Sequence, residues 1–425
     1  MNIRATESLP AIDSVGATTL AGQLRCLLRA DDTVLVGTGA GEPRLLIEAL
    51  IEAATGLSGP IRVIQVMAGG LERLAQVSGP CLRLHAPVPG PLTRVAIAEG
   101  RAELLCLSMN ELLESILCGK LRIDVVLAQG SRDTEQRALP GLIADVVIPA
   151  WEKARVRAIE INASLPRIMS EAGFNLAEAD LVVECDYPPG ELPREKEAGF
   201  SRRIAEWVVE CVPDGATIEM GLGKALAGLP GALIGARRNL AMHTGLVGDW
   251  AMQLIEAGCV CRPIKGTAVA LGATAMGTES FYRWADRNPL IAIADSRIAH
   301  DPEHLAAQQD FVAINAVLEV DLTGRGNSSV LGGVQVSGIG GGRDFARAGA
   351  SACASIVVLP ATTRSGASAI VPRVEFQTLP QDAITHVVTE FGVARIRGLS
   401  GAARARALVA IADPRHRAAL LEALP

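Results

Sequence analysis

The chain has 425 residues, 49% hydrophobic and 20% charged, which supplies apolar material for two or three packed domains and excludes a disordered chain. Aromatic residues make up only 3% and the net charge is −6. A base-stacking nucleic-acid platform is therefore not expected, and nothing in the charge balance attracts DNA, RNA or an anionic membrane.

At the N-terminus, MNIRATESLPAIDS lacks the apolar stretch of a secretory signal. Short β-branched runs then alternate with amphipathic segments. Strands are expected at 33–37, 62–66, 103–107, 124–129, 180–184, 217–220, 290–294, 355–359 and 386–389, with helices such as 43–54 and 200–212 between them. Strands apolar on both faces, alternating with helices, predict an α/β fold with a mainly parallel sheet. The Pro- and charge-rich stretch 187–199 predicts an exposed linker between two domains, residues 1–190 and 200–425. The halves echo each other: TVLVGTGAGEPRLLIEAL from Thr33 and TIEMGLGKALAGLPGAL from Thr217 each read as strand, Gly-x-Gly, helix. The small-residue run from Gly266 is too short to span a bilayer. The nine cysteines form no CxxC pair and read as free thiols in a reducing compartment, so a cytoplasmic protein is expected.

Five segments carry candidate chemistry. VGTGAGEP (36–43) is a strand-to-helix turn or a ligand loop, with Glu42 near a helix start. In IEMGLGKALAGLPGALIG (218–235), Gly221 and Gly223 follow a strand that carries Glu219. Amides there would face an anion or a thioester oxygen, or the glycines would serve helix packing. In LAMHTGLVGDW (240–250), His243 and Asp249 flank a small-residue turn, where either could act as a base or be structural. VSGIGGGRDFARAG (336–349) holds Gly338, Gly340, Gly341 and Gly342 followed by Arg343; such a loop can wrap a pyrophosphate or pantetheine chain with backbone amides. ATTRSGASAIVP (361–372) places hydroxyls and Arg364 after a strand. HExxH, GxSxG and paired CxxC motifs are absent, so zinc-hydrolase and serine-hydrolase chemistry has little support. Neither GTGAGE nor GLGKAL completes the GxGxxG spacing of a dinucleotide fold.

Taken in order, these segments resemble the acetyl-CoA hydrolase/transferase family over most of the chain, from Val34 to Arg417. The resemblance is most specific at QDFVAINAVLEVDLTGR (309–325), SGIGGGRDF (337–345) and VVTEFGVARIRGLS (387–400). It implies two similar CoA-transferase-type α/β domains with the active site between them. It also implies acyl-CoA as substrate rather than a permanently bound cofactor, a small carboxylate as acceptor, and a homodimer. Members of the family use a glutamate that attacks the thioester, within a pattern His-Thr-Glu followed by Asp. Here the text is His243-Thr244-Gly245-Leu246-Val247-Gly248-Asp249, so the expected nucleophile is Gly245. Loss of a covalent nucleophile costs on the order of 10⁴–10⁶ in rate. The loop 131–137 of the first half also departs from the family text. The expected activity is therefore CoA transfer or acyl-CoA hydrolysis by a route lacking glutamyl-CoA, with His243, Asp249 and Glu219 as candidate catalytic groups. Gly338, Gly340, Gly341, Gly342, Arg343, Gly221 and Gly223 are the candidate CoA-binding residues. The other reading is a non-catalytic CoA-thioester binder, or an inactive subunit paired with an active relative.

Overall fold

The computed structural model describes residues 14–424. Two compact units emerge among these: residues 14–193 with 246–249 and 272–297 form the first, and 194–245 with 250–271 and 298–424 form the second.

The first unit is built on nine strands: β1 (Thr33–Val36), β2 (Ile61–Gln65), β3 (Leu82–Ala86), β4 (Glu103–Leu104), β5 (Val125–Arg132), β6 (Arg137–Leu139), β7 (Val156–Asn162), β8 (Phe174–Asn175) and β9 (Leu181–Cys185). Seven of them run parallel in the order β4-β3-β2-β1-β5-β7-β9. β6 and β8 continue from the end of β5 as an antiparallel extension. All four residues of β1 are buried, because a central parallel strand is covered on both faces. The helix Arg44–Ala54 covers it with Leu46, Ile47, Leu50, Ala53 and Ala54, a single stripe at helical spacing. Each buried leucine contributes roughly 2 kcal/mol by the area it removes from water.

The second unit is built on β10 (Thr217–Met220), β11 (Ala241–Val247), β12 (Val312–Ala316), β13 (Ala354–Val358), β14 (His386–Thr389) and β15 (Gly392–Arg395). Their order is β11-β10-β12-β13-β14-β15, parallel except for the last pair. One core lies around Val320, Val357, Ile370 and Leu408; another joins Leu305, Phe311, Ala313 and Phe345. The echo between the halves corresponds to one structural station. Gly37 donates its N–H to the Leu127 carbonyl at 2.8 Å, and Gly221 donates to Ile314 at 2.9 Å. In both units the glycine follows the strand at which chain order reverses.

The structure corrects several expectations. The strand expected at 103–107 is only Glu103–Leu104, and strands at Leu82–Ala86, Val156–Asn162 and Val312–Ala316 were not anticipated. The segment 240–250 is not a small-residue turn but carries β11, with Ala270–Ala275 a strand in the run from Gly266. The stretch 187–199 is not an exposed linker throughout. Tyr187 is buried, its hydroxyl accepts from Arg44 N (3.0 Å) and pairs with the Glu160 carboxyl, and Asn162 Nδ2 donates to its carbonyl at 2.9 Å. Only residues 194–197 form a continuous exposed run within it. No helix among the described residues is long and apolar enough to cross a membrane.

Candidate functional site

The C-terminal ends of β11, β10 and β12 bring together the residues that the sequence marks. In the register Thr217 pairs with Ala241, and Met220 with Ile314; one residue further on, Gly221 stands between Gly245 and Asn315. β11 lies on one side of β10 and β12 on the other, so this is a point of reversed strand order, where open α/β sheets receive ligands. β11 is buried at every position but one, and that one is Gly245.

Asn315 organises the first half of the site. Its Nδ2 donates to Glu219 Oε2 at 2.7 Å, and Ile314 N donates to the same oxygen at 3.2 Å. Its Oδ1 faces two glycines: a Cβ at Gly221 would lie 2.6 Å from that oxygen, and one at Gly342 3.3 Å from it. Two sequence-marked glycines are thus close-approach positions around one amide. Burial pushes the Glu219 carboxyl up to about 8, against the two hydrogen bonds that favour its anion. At neutral pH it is a neutral acid.

His300 and Phe345 organise the second half. A Cβ at Gly245 would lie 3.2 Å from Phe345 Cε2 and 3.4 Å from His300 Nε2; a Cβ at Gly341 would lie 2.9 Å from His300 Nε2. The imidazole sits 5.2 Å from the Phe345 ring, and burial lowers its pKa to about 4. His243, one turn of the pleat deeper, is fully buried and stacks edge-on against His304 at 5.7 Å. Neither of its ring nitrogens makes a well-formed hydrogen bond, and the Ile298 backbone is the one group that favours a proton there. Burial, reinforced by His304 and His300, holds it near 3 and so neutral.

The other marked residues fall into place around these. Gly338 is buried and its carbonyl accepts from Ser329 Oγ at 3.1 Å, while Gly340 adopts φ +58°, a left-handed conformation that glycine tolerates. Gly341 and Gly342 begin the helix Gly342–Ser351, whose first turn leaves amide hydrogens without intrahelical acceptors. Arg343 Nε donates to the Thr378 carbonyl at 2.9 Å. Gly223 packs against Ala316. One expectation is corrected: the Gly221 amide is committed to the Ile314 carbonyl and is not presented to a ligand. Asp249 accepts from Thr278 N and Oγ1, both at 2.8 Å, and so fixes the cap of the helix Glu279–Ala285.

In the first unit, Glu42 follows the equivalent glycine turn. Its Oε2 accepts from Gly69 N at 2.8 Å and Gln65 Nε2 at 3.2 Å, and burial raises it to about 7. Asn315, His300 and Phe345 were not singled out from the sequence. Asn315 and Phe345 lie inside two of the three specific motif matches, QDFVAINAVLEVDLTGR and SGIGGGRDF, which is the signal that marks them; His300 lies in no such motif. Among the described residues no cluster of His, Cys, Asp and Glu could hold a metal ion.

The sequence profile of the acetyl-CoA hydrolase/transferase C-terminal domain matches residues 277–424. Over 402 residues the chain is 29% identical to the 4-hydroxybutyrate coenzyme A transferase of Clostridium kluyveri, covering 91% of this chain and 92% of that one. A crystal structure of 4-hydroxybutyrate CoA-transferase from Porphyromonas gingivalis superposes with a TM-score of 0.77 at 25% identity, covering 95% of each chain. RipA from Yersinia pestis superposes with a TM-score of 0.86 over 97% of this chain and 98% of its own, at 24% identity, a likeness of fold alone.

Proposed function

The chain belongs to the acetyl-CoA hydrolase/transferase family, and we propose that it acts on the thioester of an acyl-CoA without passing through a glutamyl-CoA intermediate. The loop of Gly338, Gly340, Gly341, Gly342 and Arg343, with Gly223 at the end of the neighbouring strand, seats the CoA. Water attacks the thioester carbonyl directly and gives an acid and the CoA thiol, or a small carboxylate attacks it and gives a mixed anhydride, whose other carbonyl the released CoA thiolate then attacks to form the new thioester and free the first acid. Acyl-CoA is a substrate here, and a homodimer is part of the same proposal.

One observation carries this reading. By the His-Thr-Glu resemblance the position of the family's glutamate corresponds to Gly245, which carries no side chain and whose Cβ position lies 3.2 Å from Phe345 and 3.4 Å from His300. A carboxylate acting as nucleophile must be held in contact with the carbonyl, and no side chain at 245 can be. Of the marked groups, Glu219 serves as the neutral acid that orients Asn315, Asp249 as a capping anchor, and His243 as a buried neutral ring behind the site. These assignments rest on their hydrogen bonds and burial.

The test is a panel of acetyl-, propionyl-, butyryl- and succinyl-CoA, each with and without acetate. Free thiol and exchanged acyl-CoA are measured, and hydroxylamine or borohydride is used to trap any acyl-enzyme or enzyme–CoA ester. Thiol release or exchange without a trapped adduct is expected. An adduct on a carboxylate of this chain would refute the direct route. The missing side chain at 245 also favours a second reading, and binding of CoA with neither release nor exchange across the panel would establish the non-catalytic binder.

A further inference from the structure

The other edge of the second unit's sheet carries a cavity of about 550 Å³. Its walls come from the chain ahead of β10, β11 and β13 and from β14 and β15, at the N-terminal ends of the parallel strands, whereas Gly221, Gly245 and Asn315 stand at their C-terminal ends. Val212, Pro213 and Ala354 give the cavity an apolar lining. Two charged or chargeable groups meet on one part of the wall. His386 opens β14, Arg395 closes β15, and the two are direct partners in the antiparallel register. Their side chains therefore leave the sheet on one face, with Cβ atoms about 5 Å apart. No described residue hydrogen-bonds or ion-pairs with the Arg395 guanidinium. The His386 ring is oriented through Thr385. That hydroxyl donates to the Ser355 carbonyl at 2.8 Å and accepts from Ser355 N at 2.8 Å. Its one hydrogen is thus committed, so the contact of 2.8 Å with His386 Nδ1 has Nδ1–H as the donor. Nε2 of the neutral ring is left as an acceptor, and burial together with Arg395 and Arg397 lowers the ring's pKa to about 4. The remaining titratable groups of the wall come from the other elements. Arg237 donates to the carbonyls of Val209 and Val212, Asp214 pairs with Arg238, and burial keeps the thiols of Cys211 and Cys353 protonated. Glu210 has no ion-pair partner among the described residues.

From this arrangement we infer that the cavity is a second ligand site, which takes a small organic anion whose carboxylate or phosphate group bridges Arg395 and His386 and whose apolar part rests on Val212, Pro213 and Ala354. The site goes beyond the acyl-CoA reading and uses none of its residues. Pockets for small molecules run from about 300 to 1,000 Å³, so this cavity has room for an organic molecule and not only for a bare ion. The guanidinium offers a fork of donors that matches a carboxylate or a phosphate. The imidazole offers a second donor once Nε2 takes a proton. An anion held between them supplies the opposite charge that the cross-strand pair lacks, so it raises the pKa of His386 from its low value. Binding therefore takes up a proton, and affinity rises as pH falls from neutral towards about 5. Glu210 opposes the anion and sets the strength of the site against that of Arg395.

The experiment titrates the full chain by calorimetry with butyrate, citrate, inorganic phosphate and phenyl phosphate at pH 5.5 and pH 7.5, and repeats it with Arg395→Gln and His386→Gln. At least one of the four should bind with a Kd below about 1 mM and bind at least about threefold tighter at pH 5.5. Arg395→Gln should weaken that ligand at least about tenfold. His386→Gln should remove the pH dependence except for the part due to the ligand's own ionisation. Preference for butyrate and citrate identifies a carboxylic acid as the natural ligand, and preference for the phosphates identifies a phosphate ester. Urea midpoints near wild type show that the variants are folded, and CoA affinity within about threefold of wild type separates this cavity from the glycine loop. If none of the four ligands loses tenfold in Arg395→Gln, or if His386→Gln keeps the full pH dependence, the site is overturned and the acyl-CoA reading stands. A wild-type protein that binds one of these anions as expected but neither binds nor cleaves any CoA thioester would overturn the acyl-CoA reading and leave this site standing.

Discussion

Replacing Glu219 with Gln should change how stability depends on pH while leaving the fold intact. The carboxyl is buried, and its Oε2 alone receives both hydrogen bonds, from Asn315 Nδ2 and Ile314 N. A glutamine can present its oxygen to the same two donors, so the exchange preserves the pair that orients Asn315. What it removes is a proton equilibrium. The folded pKa is about 8 against an ordinary 4.5. In that interval the folded state binds the proton more tightly than the unfolded state, so stability is lost as pH rises from about 4.5 towards 8. A tenfold change in acidity is worth about 1.4 kcal/mol. The share lost between pH 5 and pH 8 is therefore at most about 4 kcal/mol for this group. Other buried acids titrate in the same window: Glu42 is raised to about 7 and Asp145 to about 6. The quantity to read is accordingly the difference between variant and wild type. Urea unfolding at pH 5 and pH 8 should show nearly equal midpoints at pH 5 and a variant more stable by about 1–3 kcal/mol at pH 8. If the difference is independent of pH, or if the variant loses more than wild type at pH 8, Glu219 is not a neutral acid in the folded protein and the argument fails.

Two further substitutions probe the same edge of the sheet. Gly341→Ala puts a Cβ 2.9 Å from His300 Nε2 and 3.0 Å from its Cδ2, an overpacking worth about 1–3 kcal/mol; titration calorimetry should show CoA bound about tenfold more weakly, with the far-UV spectrum unchanged. His243→Met should matter mainly in acid. The folded His243 is held near 3, well below its usual 6.5, so the wild-type contribution is complete above pH 6.5 and is lost as pH falls towards 3. Urea midpoints should be similar at pH 7, and the methionine variant should gain about 2–3 kcal/mol relative to wild type at pH 4. A constant offset at both pH values would show that the ring finds a proton-stabilising partner.

Sequence reasoning succeeded where a local pattern and the tertiary environment demand the same thing. TVLVG and TIEMG read as strands ending in glycine because a central parallel strand must be apolar on both faces, and both are buried at all four positions. It failed at 240–250, where small residues and a histidine look like a turn. Those residues form β11 because Ala241 and Met242 pair with Thr217 and Ile218, a partnership no local signal carries. The stretch after Tyr187 looked like a linker for its prolines and charges, yet the Tyr187 hydroxyl finds its partner 27 residues earlier, at Glu160. The same limit hid half of the candidate site. The glycines at 221, 341 and 342 stood out as a composition anomaly, whereas the side chains that make them necessary did not. Asn315 reaches Glu219 across a sequence separation of 96 residues, and His300 meets Gly245 and Gly341 only through the folding of the second unit.

The absence of a side chain at Gly245 would be easiest to read as decay, but the packing around it argues otherwise. Deleting a glutamate side chain from a finished site leaves a void, and voids in packed interiors cost about 24 cal/mol for each Å³ that does not collapse. A decayed site would show that space empty or loosely filled. Here two rings contact the position where a Cβ would begin, one of them fixed by its own apolar cluster. At the second glycine, Gly341, the fit to the His300 ring is the tighter one, a Cβ there lying 2.9 Å from Nε2 against 3.4 Å at Gly245. Glycine at 245, glycine at 341, histidine at 300 and phenylalanine at 345 thus form one interlocked set, each making room for or supporting another. Interlocking of that kind is close packing around Gly245, not the void that a deleted side chain would leave.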